Sequence, residues 1–182
     1  MKNNAWSKFP RLESQRMILR EIVKEDAAAL FMLYSNPEVM KFRGADSFTV
    51  MNQALDLIQK FNSDFTTQGG IRWGLTFLGK ENELIGTAGF NSIDWRHQRG
   101  VIGYEIQPSL WNQGLMTEAL KVISAFAFHE LNLHTIEANI APANIASEKV
   151  LSKLGFIKEA HFRENWYYKG WWDSVIYSLH NR

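Results

Sequence analysis

Hydrophobic and polar positions alternate along this chain with two periods, and the switches between them mark out its elements. Arg16 to Glu21 (RMILRE) reads as a first strand. Lys24 to Ser35 reads as a helix, ended by Asn36-Pro37. A second helix runs from about Val50 to Phe65, with Leu55, Ile58 and Phe65 as its inner stripe, and Gly69-Gly70 breaks it. Ile71, Trp73, Leu75 and Phe77 then alternate with Arg72, Gly74 and Thr76, the period of a strand. After a turn around Asn82, Leu84 to Trp95 is a second strand, bent near Gly86 and Gly89. Gly100 to Gln107 is a third. It sets Ile102, Tyr104 and Ile106 on one face and Val101, Gly103, Glu105 and Gln107 on the other.

Beyond Pro108 the period lengthens. Met116, Ala119, Leu120, Ile123, Phe126 and Ala127 fall on one side of a long helix. A strand from His134 to Ala141 follows, with Ile136, Ala138 and Ile140 inward. Next comes a short helix, Asn144 to Leu154, capped by Asn144 and stopped by Gly155, with Ala146, Val150, Leu151 and Leu154 inward. Two strands near Phe156–Arg163 and Trp171–Leu179, turning at Lys169-Gly170, close the chain. The pattern is that of a mixed α/β domain with a strand–helix–strand–helix unit in its second half.

Composition narrows the function classes. The 182 residues fit one domain, 1–182, with a full core. An apolar fraction of 46% with 21% charged residues excludes a disordered, collagen-like or coiled-coil chain. There is no cysteine, hence no disulfide, thiolate metal site or cysteine nucleophile. The five histidines show no ligand spacing, so no metal is expected. A net charge of +1 asks for neither nucleic acid nor an anionic membrane. No apolar run reaches membrane-spanning length, and no signal-peptide core is present, so a cytoplasmic location is expected. Seven Trp and twelve Phe imply a large aromatic core or an aromatic-lined cleft, and Trp95, Trp166, Trp171 and Trp172 are candidates for either.

Two stretches carry candidate chemistry. The first is the junction Gln107-Pro-Ser-Leu-Trp-Asn-Gln-Gly114-Leu-Met-Thr-Glu118, where a strand ends and the long helix begins. It reads either as an ordinary connection or as an anion site, because a helix's first turn offers unpaired N–H groups and Gly114 admits close approach to the backbone. It is neither a Walker A loop nor a dinucleotide fingerprint, which argues against a Rossmann-type nucleotide-binding domain. The second is Asn144-Ile-Ala-Ser147-Glu-Lys-Val-Leu151-Ser-Lys153-Leu-Gly155-Phe156. Ser147 lies off the apolar stripe with a free hydroxyl, and Lys149 and Lys153 either point into solvent or meet an anionic ligand.

Together these stretches resemble the GNAT superfamily of acyl-CoA-dependent N-acyltransferases, and within it the RimJ/RimL branch. Trp111-Asn-Gln-Gly114-Leu-Met-Thr117-Glu-Ala119 is similar to the branch's pyrophosphate-binding loop, and Asn144 to Phe156 matches its Asn-x-x-Ser-x-x-x-Leu-x-Lys-x-Gly-Phe helix at every fixed position. Further similarity covers Arg11–Arg20, Glu25-Asp26-Ala27, Gly170-Trp-Trp-Asp173 and Tyr177-Ser-Leu, nearly the whole chain. Met116 departs from the superfamily's usual Gly or Ala, a bulk that would narrow the approach to the pyrophosphate.

The resemblance implies a single domain built on a mixed, mostly antiparallel sheet flanked by helices. Its strands Gly100–Gln107 and His134–Ala141 would be parallel and splayed around acetyl-CoA. Backbone groups of Glu105, Ile106 and Gln107 would pair with the pantetheine. Asn112, Gln113, Gly114, Leu115, Met116 and Thr117 would hold the pyrophosphate, with Asn144, Ser147 and Lys153 completing the cofactor side. A neutral amine would attack the thioester, a backbone N–H near Ile106 would steady the oxyanion, and Ser147 would donate a proton to the leaving thiolate. Glu105, then Glu164, are the candidate bases, each otherwise a solvated charge. The acceptor would be a primary amine: a protein N-terminus, as on ribosomal proteins, or a polyamine, aminoglycoside or amino acid. A catalytically silent acyl-CoA-binding module is the alternative from another class, and homo-oligomerisation is left open.

Overall fold

The computed structural model describes Trp6 and residues 8–181. Eight strands form one sheet: β1 (Leu12–Glu13), β2 (Met17–Arg20), β3 (Ile71–Phe77), β4 (Gly86–Asp94), β5 (Arg99–Ile106), β6 (Thr135–Ile140), β7 (Ile157–Tyr167) and β8 (Trp171–His180). Their order is β1-β2-β3-β4-β5-β6-β8-β7. Every neighbouring pair is antiparallel except β5 and β6, which run parallel. The helices are α1 (Ala27–Ser35), α2 (Pro37–Met40), α3 (Met51–Thr66), α4 (Leu115–His129) and α5 (Ile145–Lys153). This is the single mixed α/β domain that the periodicities predict. Among the described residues no helix is long and apolar enough to cross a membrane.

The sheet separates two apolar clusters. Under α4, Met116, Ala119, Leu120, Ile123 and Ala127 are buried against Ile71, Trp73, Leu75, Ile102 and Ile106. Phe126, the remaining member of the predicted stripe, is half-buried and meets Trp73 edge-on at 5.6 Å. On the other face α1 and α3 enclose Leu30, Leu33, Tyr34, Ala54 and Ile58, with Leu55 at the margin. Both faces of β3 are therefore covered, and its polar phase, Arg72 and Thr76, is buried as fully as its apolar one.

Three local expectations need correcting. Pro37 does not merely end a helix. It occupies the first turn of α2, with Asn36 Oδ1 accepting the Glu38 N–H at 2.9 Å, since proline's missing N–H is harmless there. The irregularity in β4 falls at Phe90–Ser92, where the register with β5 shifts, and not at Gly86. In α5 only Leu151 is buried, and Ala146 is exposed. The reason lies in the sheet: β5 and β6 pair only from Arg99–Thr135 to Ile102–Ala138 and then part, so the apolar side of α5 overlooks a gap.

Candidate active site

That gap opens into a cleft of about 780 Å³, lined from both faces of the sheet. On the α4–α5 side it meets Asn112, Gly114, Leu115, Met116, Thr117, Asn144, Ser147 and Lys153, eight of the residues expected to hold cofactor, together with Ala146, Lys149 and Val150. On the opposite side it meets the end of α2, the loop after it and one face of α3, and Trp166 on β7. Among the described residues no group of His, Asp and Glu forms a metal site.

Backbone groups dominate the first side. Gly114 sits at φ +76°, at the N-cap of α4, a conformation that costs glycine nothing. A Cβ built there would meet nothing closer than Arg16 Nη2 at 3.8 Å, so the space in front of the loop is open. The next three residues, Leu115 to Thr117, begin the helix with N–H groups that have no intrahelical acceptor. Leu115 and Met116 turn their side chains into the core, 1% and 7% exposed, so the bulk of Met116 is absorbed by packing. The loop is pinned from below: Arg16 donates from Nε to Glu118 at 2.7 Å and from Nη1 to the Gln113 carbonyl at 3.2 Å, and Ser14 Oγ donates to the same carboxylate at 2.8 Å. Asn144 caps α5 by accepting the Ser147 N–H at 3.1 Å, and the Ser147 side chain hydrogen-bonds the Tyr104 hydroxyl. Tyr104 reaches across from β5 to donate to the Ser147 carbonyl at 3.5 Å; burial pushes its hydroxyl up to about 12.

The strand β5 supplies the floor. In an antiparallel ladder alternate residues direct both backbone groups to the same neighbour. The Gln107 N–H donates to the Ile85 carbonyl, so Glu105 and Gln107 face β4, and Tyr104 and Ile106 turn theirs towards the gap. The Ile106 carbonyl is already taken by Trp111 Nε1 at 2.9 Å. This corrects the expected pantetheine contacts: the groups left are those of Tyr104 and the Ile106 N–H. Gln107 and Gln113 both lie outside the cleft lining, with their amides bonded to the carbonyls of Leu84 and Ser109.

Side chains dominate the far side. Glu105 is no solvated charge. It is 15% exposed, ion-paired through Oε2 to Arg72, and accepts hydrogen bonds from Tyr34 at 3.0 Å and Thr87 at 3.2 Å. Arg43 lies 3.6 Å from its Oε1. Arg72, itself 4% exposed, also donates to Thr87, to Asn91 at 3.0 Å and to the Gly103 carbonyl at 2.8 Å. A Cβ at position 103 would stand 2.6 Å from Asn91 Nδ2, so any larger residue there would displace the Asn91 amide from Arg72. Burial alone would push the Glu105 carboxyl up, but the charges of Arg72 and Arg43 and the Tyr34 and Thr87 hydroxyls outweigh it and hold the group below its ordinary range. A carboxylate so stabilised is a weaker base than a free one.

Glu164 is corrected on position. It is exposed at a break in the β7–β8 register, at φ +46°, and it does not line the cleft. Of the four candidate tryptophans only Trp166 lines it. Trp95 donates to the Gln68 carbonyl and packs on Trp6, while Trp171 and Trp172 stack on Tyr167 and Tyr168. Tyr34, Arg43, Arg72 and Asn91 are the residues that sequence reasoning missed. The one signal for them was Arg72 in the polar phase of a strand otherwise made of large apolar residues.

With the geometry in view, the comparisons can be set beside it. The model of the acetyltransferase (GNAT) domain matches residues 16–157. The chain belongs to this family. An N-acetyltransferase of Bacillus subtilis, YoaA, itself uncharacterised, is 38% identical over 172 residues, 94% of this chain and 97% of its own. Among solved structures, the ribosomal L7/L12 α-N-protein acetyltransferase RimL in complex with coenzyme A superposes with a TM-score of 0.83 at 18% identity, covering 94% of this chain and 98% of its own. A spermidine N-acetyltransferase from Vibrio cholerae, in complex with CoA and spermine, gives 0.79 at 20%, covering 90% and 95%. The GNAT protein is an acetyl-CoA-dependent N-acetyltransferase that acts on an amine-bearing acceptor.

Proposed function

We propose that this protein is a cytoplasmic enzyme of the RimJ/RimL kind, which binds acetyl-CoA on the α4–α5 side of the cleft and acetylates an α-amine entering from the α2–α3 side. The observation that carries this is the parting of β5 and β6 after Ile102 and Ala138, which leaves unpaired strand backbone leading to the open first turn of α4. Strand backbone suits the amides of a pantetheine arm, and a helix N-terminus with Lys149 and Lys153 close by suits a pyrophosphate. Acetyl-CoA supplies an acetyl group already activated as a thioester. The Ile106 N–H offers a donor to the oxyanion that forms when the amine attacks, and the Ser147 hydroxyl, beside Tyr104 in the cleft lining, offers a proton to the departing sulfur. Glu105 holds Arg72 and Arg43 in place, and the amine loses its proton to water.

The charges on the acceptor side favour a protein N-terminus over a polyamine. A polycation needs carboxylates free to pair with it. Here Glu105 is neutralised by Arg72 and Arg43, and Asp64 by Lys60, which leaves Glu38, in α2, as the acceptor-side carboxylate without an ion pair among the described residues. Two measurements test the reading. Gly114→Asn keeps a residue that tolerates positive φ and puts a side chain where the pyrophosphate would lie. Titration calorimetry should show coenzyme A affinity falling at least tenfold in a folded variant, and unchanged affinity would misplace the site. A panel of short peptides and polyamines should then be acetylated on peptide α-amines, and a preference for spermidine would overturn the acceptor class.

A further inference from the structure

One cation in the cleft has more charge than its surroundings answer. Arg72 and Arg43 share a single carboxylate, that of Glu105. Arg72 fills its hydrogen bonds on Glu105, Thr87, Asn91 and the Gly103 carbonyl. Arg43 does not. Its Nη1 is buried and has no hydrogen-bond partner, since Glu105 Oε1, at 3.6 Å, is too far to accept. The guanidinium carbon lies over the Tyr34 ring, 4.3 Å from its centroid, so the group is already positioned, and Arg43 lines the cleft on the acceptor side. A buried donor on a charged group is costly to leave unmade. The Arg43 side chain as a whole is 29% exposed and lines the cleft, so an acceptor bringing one negative charge can meet it from that side and supply the second anion.

We propose that Arg43 binds a carboxylate carried by the acceptor, making it a specificity residue for amines that bear a carboxylate within a few bonds of the reacting nitrogen. This rests on the acetyltransferase reading above. The surplus is one charge, which suits a carboxylate better than a phosphate dianion. The distance follows from the strand: Arg43 sits against Glu105, between Tyr104 and Ile106, whose backbone faces the gap, and neighbouring strand residues are about 3.3 Å apart. Two sources present this chemistry, the α-carboxylate of a free amino acid and the side chain of Asp or Glu at the start of a peptide.

The experiment measures kcat/KM for matched pairs in two arms: free amino acids against their carboxamides, and peptide amides of sequence Ser-Glu-Ala or Glu-Ala-Ala against Ser-Gln-Ala or Gln-Ala-Ala. Wild type should favour the acid by about ten- to hundredfold, the worth of a charge-assisted hydrogen bond, in the arm that matches the natural source. Arg43→Gln should bring that ratio close to one, chiefly through the KM of the acid. Arg43→Lys, which keeps the charge and loses the planar fork, should give an intermediate ratio. Should Arg43→Gln fail to fold, competition of glutarate against the acceptor, and not against acetyl-CoA, in wild type gives the same answer. A ratio at or below one in both arms overturns the proposal, as does a ratio that survives Arg43→Gln, or an enzyme that binds coenzyme A yet acetylates none of the panel. Calorimetry on the same preparations separates the two readings, because loss of coenzyme A binding in wild type would count against the cofactor site and not against Arg43.

Discussion

The α4–α5 side of the cleft and the α2–α3 side are made of different material. The first is backbone: the first turn of α4, the turned groups of Tyr104 and Ile106, and a glycine at φ +76°, all within two short stretches of sequence. The second is a net of side chains, Tyr34, Arg43, Arg72, Thr87, Asn91 and Glu105, gathered from five separate places in the chain. A backbone site tolerates changes of side chain provided the conformation survives, and is lost when a bulky group fills its open space. A buried ionic net behaves in the opposite way, since removing one partner strands the others.

The largest effect expected from that difference is on Glu105. Glu105→Gln keeps the shape and removes the charge that answers Arg72 and Arg43, so it should lower stability by about 3–5 kcal/mol, read as a drop in the denaturant midpoint. The sign of the pH dependence is fixed by the direction of the shift. A carboxyl held below its ordinary range contributes stability that is complete above about pH 4.3, the unfolded value, and is lost as pH falls through the folded one. Wild type should therefore show no Glu105-linked change in stability from pH 6 to 9, and should lose stability below pH 4 more steeply than Glu105→Gln does. A variant as stable as wild type at pH 7 would mean that the net is not an energetic unit. If the folded variant recovered wild-type kcat only at high pH, Glu105 would regain its place as the base.

On the backbone side the sharpest single change is Ser147→Ala. Its hydroxyl bonds that of Tyr104, both of them lining the cleft, so deleting it should lower stability by about 1 kcal/mol at most. Turnover should fall by about 10- to 1000-fold if the hydroxyl protonates the leaving sulfur, with coenzyme A affinity almost unchanged. Tyr104, pushed up to about 12, stays protonated across the working range and is the group to examine next if Ser147→Ala turns over normally.

The same contrast explains what the sequence reveals and what it conceals. The long helix, the strands on either side of it and the glycine junction are legible because each is written in contiguous residues with a fixed period or spacing, whereas the parallel pairing of those strands comes from the family resemblance. The stripe Ala146–Val150 was legible as apolar, but not as cleft wall, since only the parting of β5 from β6 decides what lies beneath it. Arg72 and Glu105 stand in the polar phases of their strands, which normally face water; α1 and α3 cover that face, and the only local trace of it is Arg72 among large apolar neighbours. Arg43 follows a four-residue helix that the pattern does not show at all.

The smallest effect is the one expected at Glu164. Its backbone N–H donates to Asp173 Oδ1 at 2.9 Å, and that bond, then His161, holds the Asp173 carboxyl below its usual range. The side chain takes no part in this and stands exposed outside the cleft. Glu164→Gln should change kcat/KM by less than about twofold from pH 6 to 9 and leave the melting temperature within about a degree, as surface substitutions usually do. Glu164→Gly should be at least as stable as wild type, because φ +46° is a conformation that glycine adopts freely and glutamate does not. The pair separates backbone from charge: equal activity in both variants confirms that this turn shapes the β7–β8 hairpin and supplies no base. A loss in Glu164→Gln that shrinks as pH rises would instead bring the β7 carboxylate to the acceptor nitrogen, and with it the acceptor side of the cleft would have to be redrawn around β7.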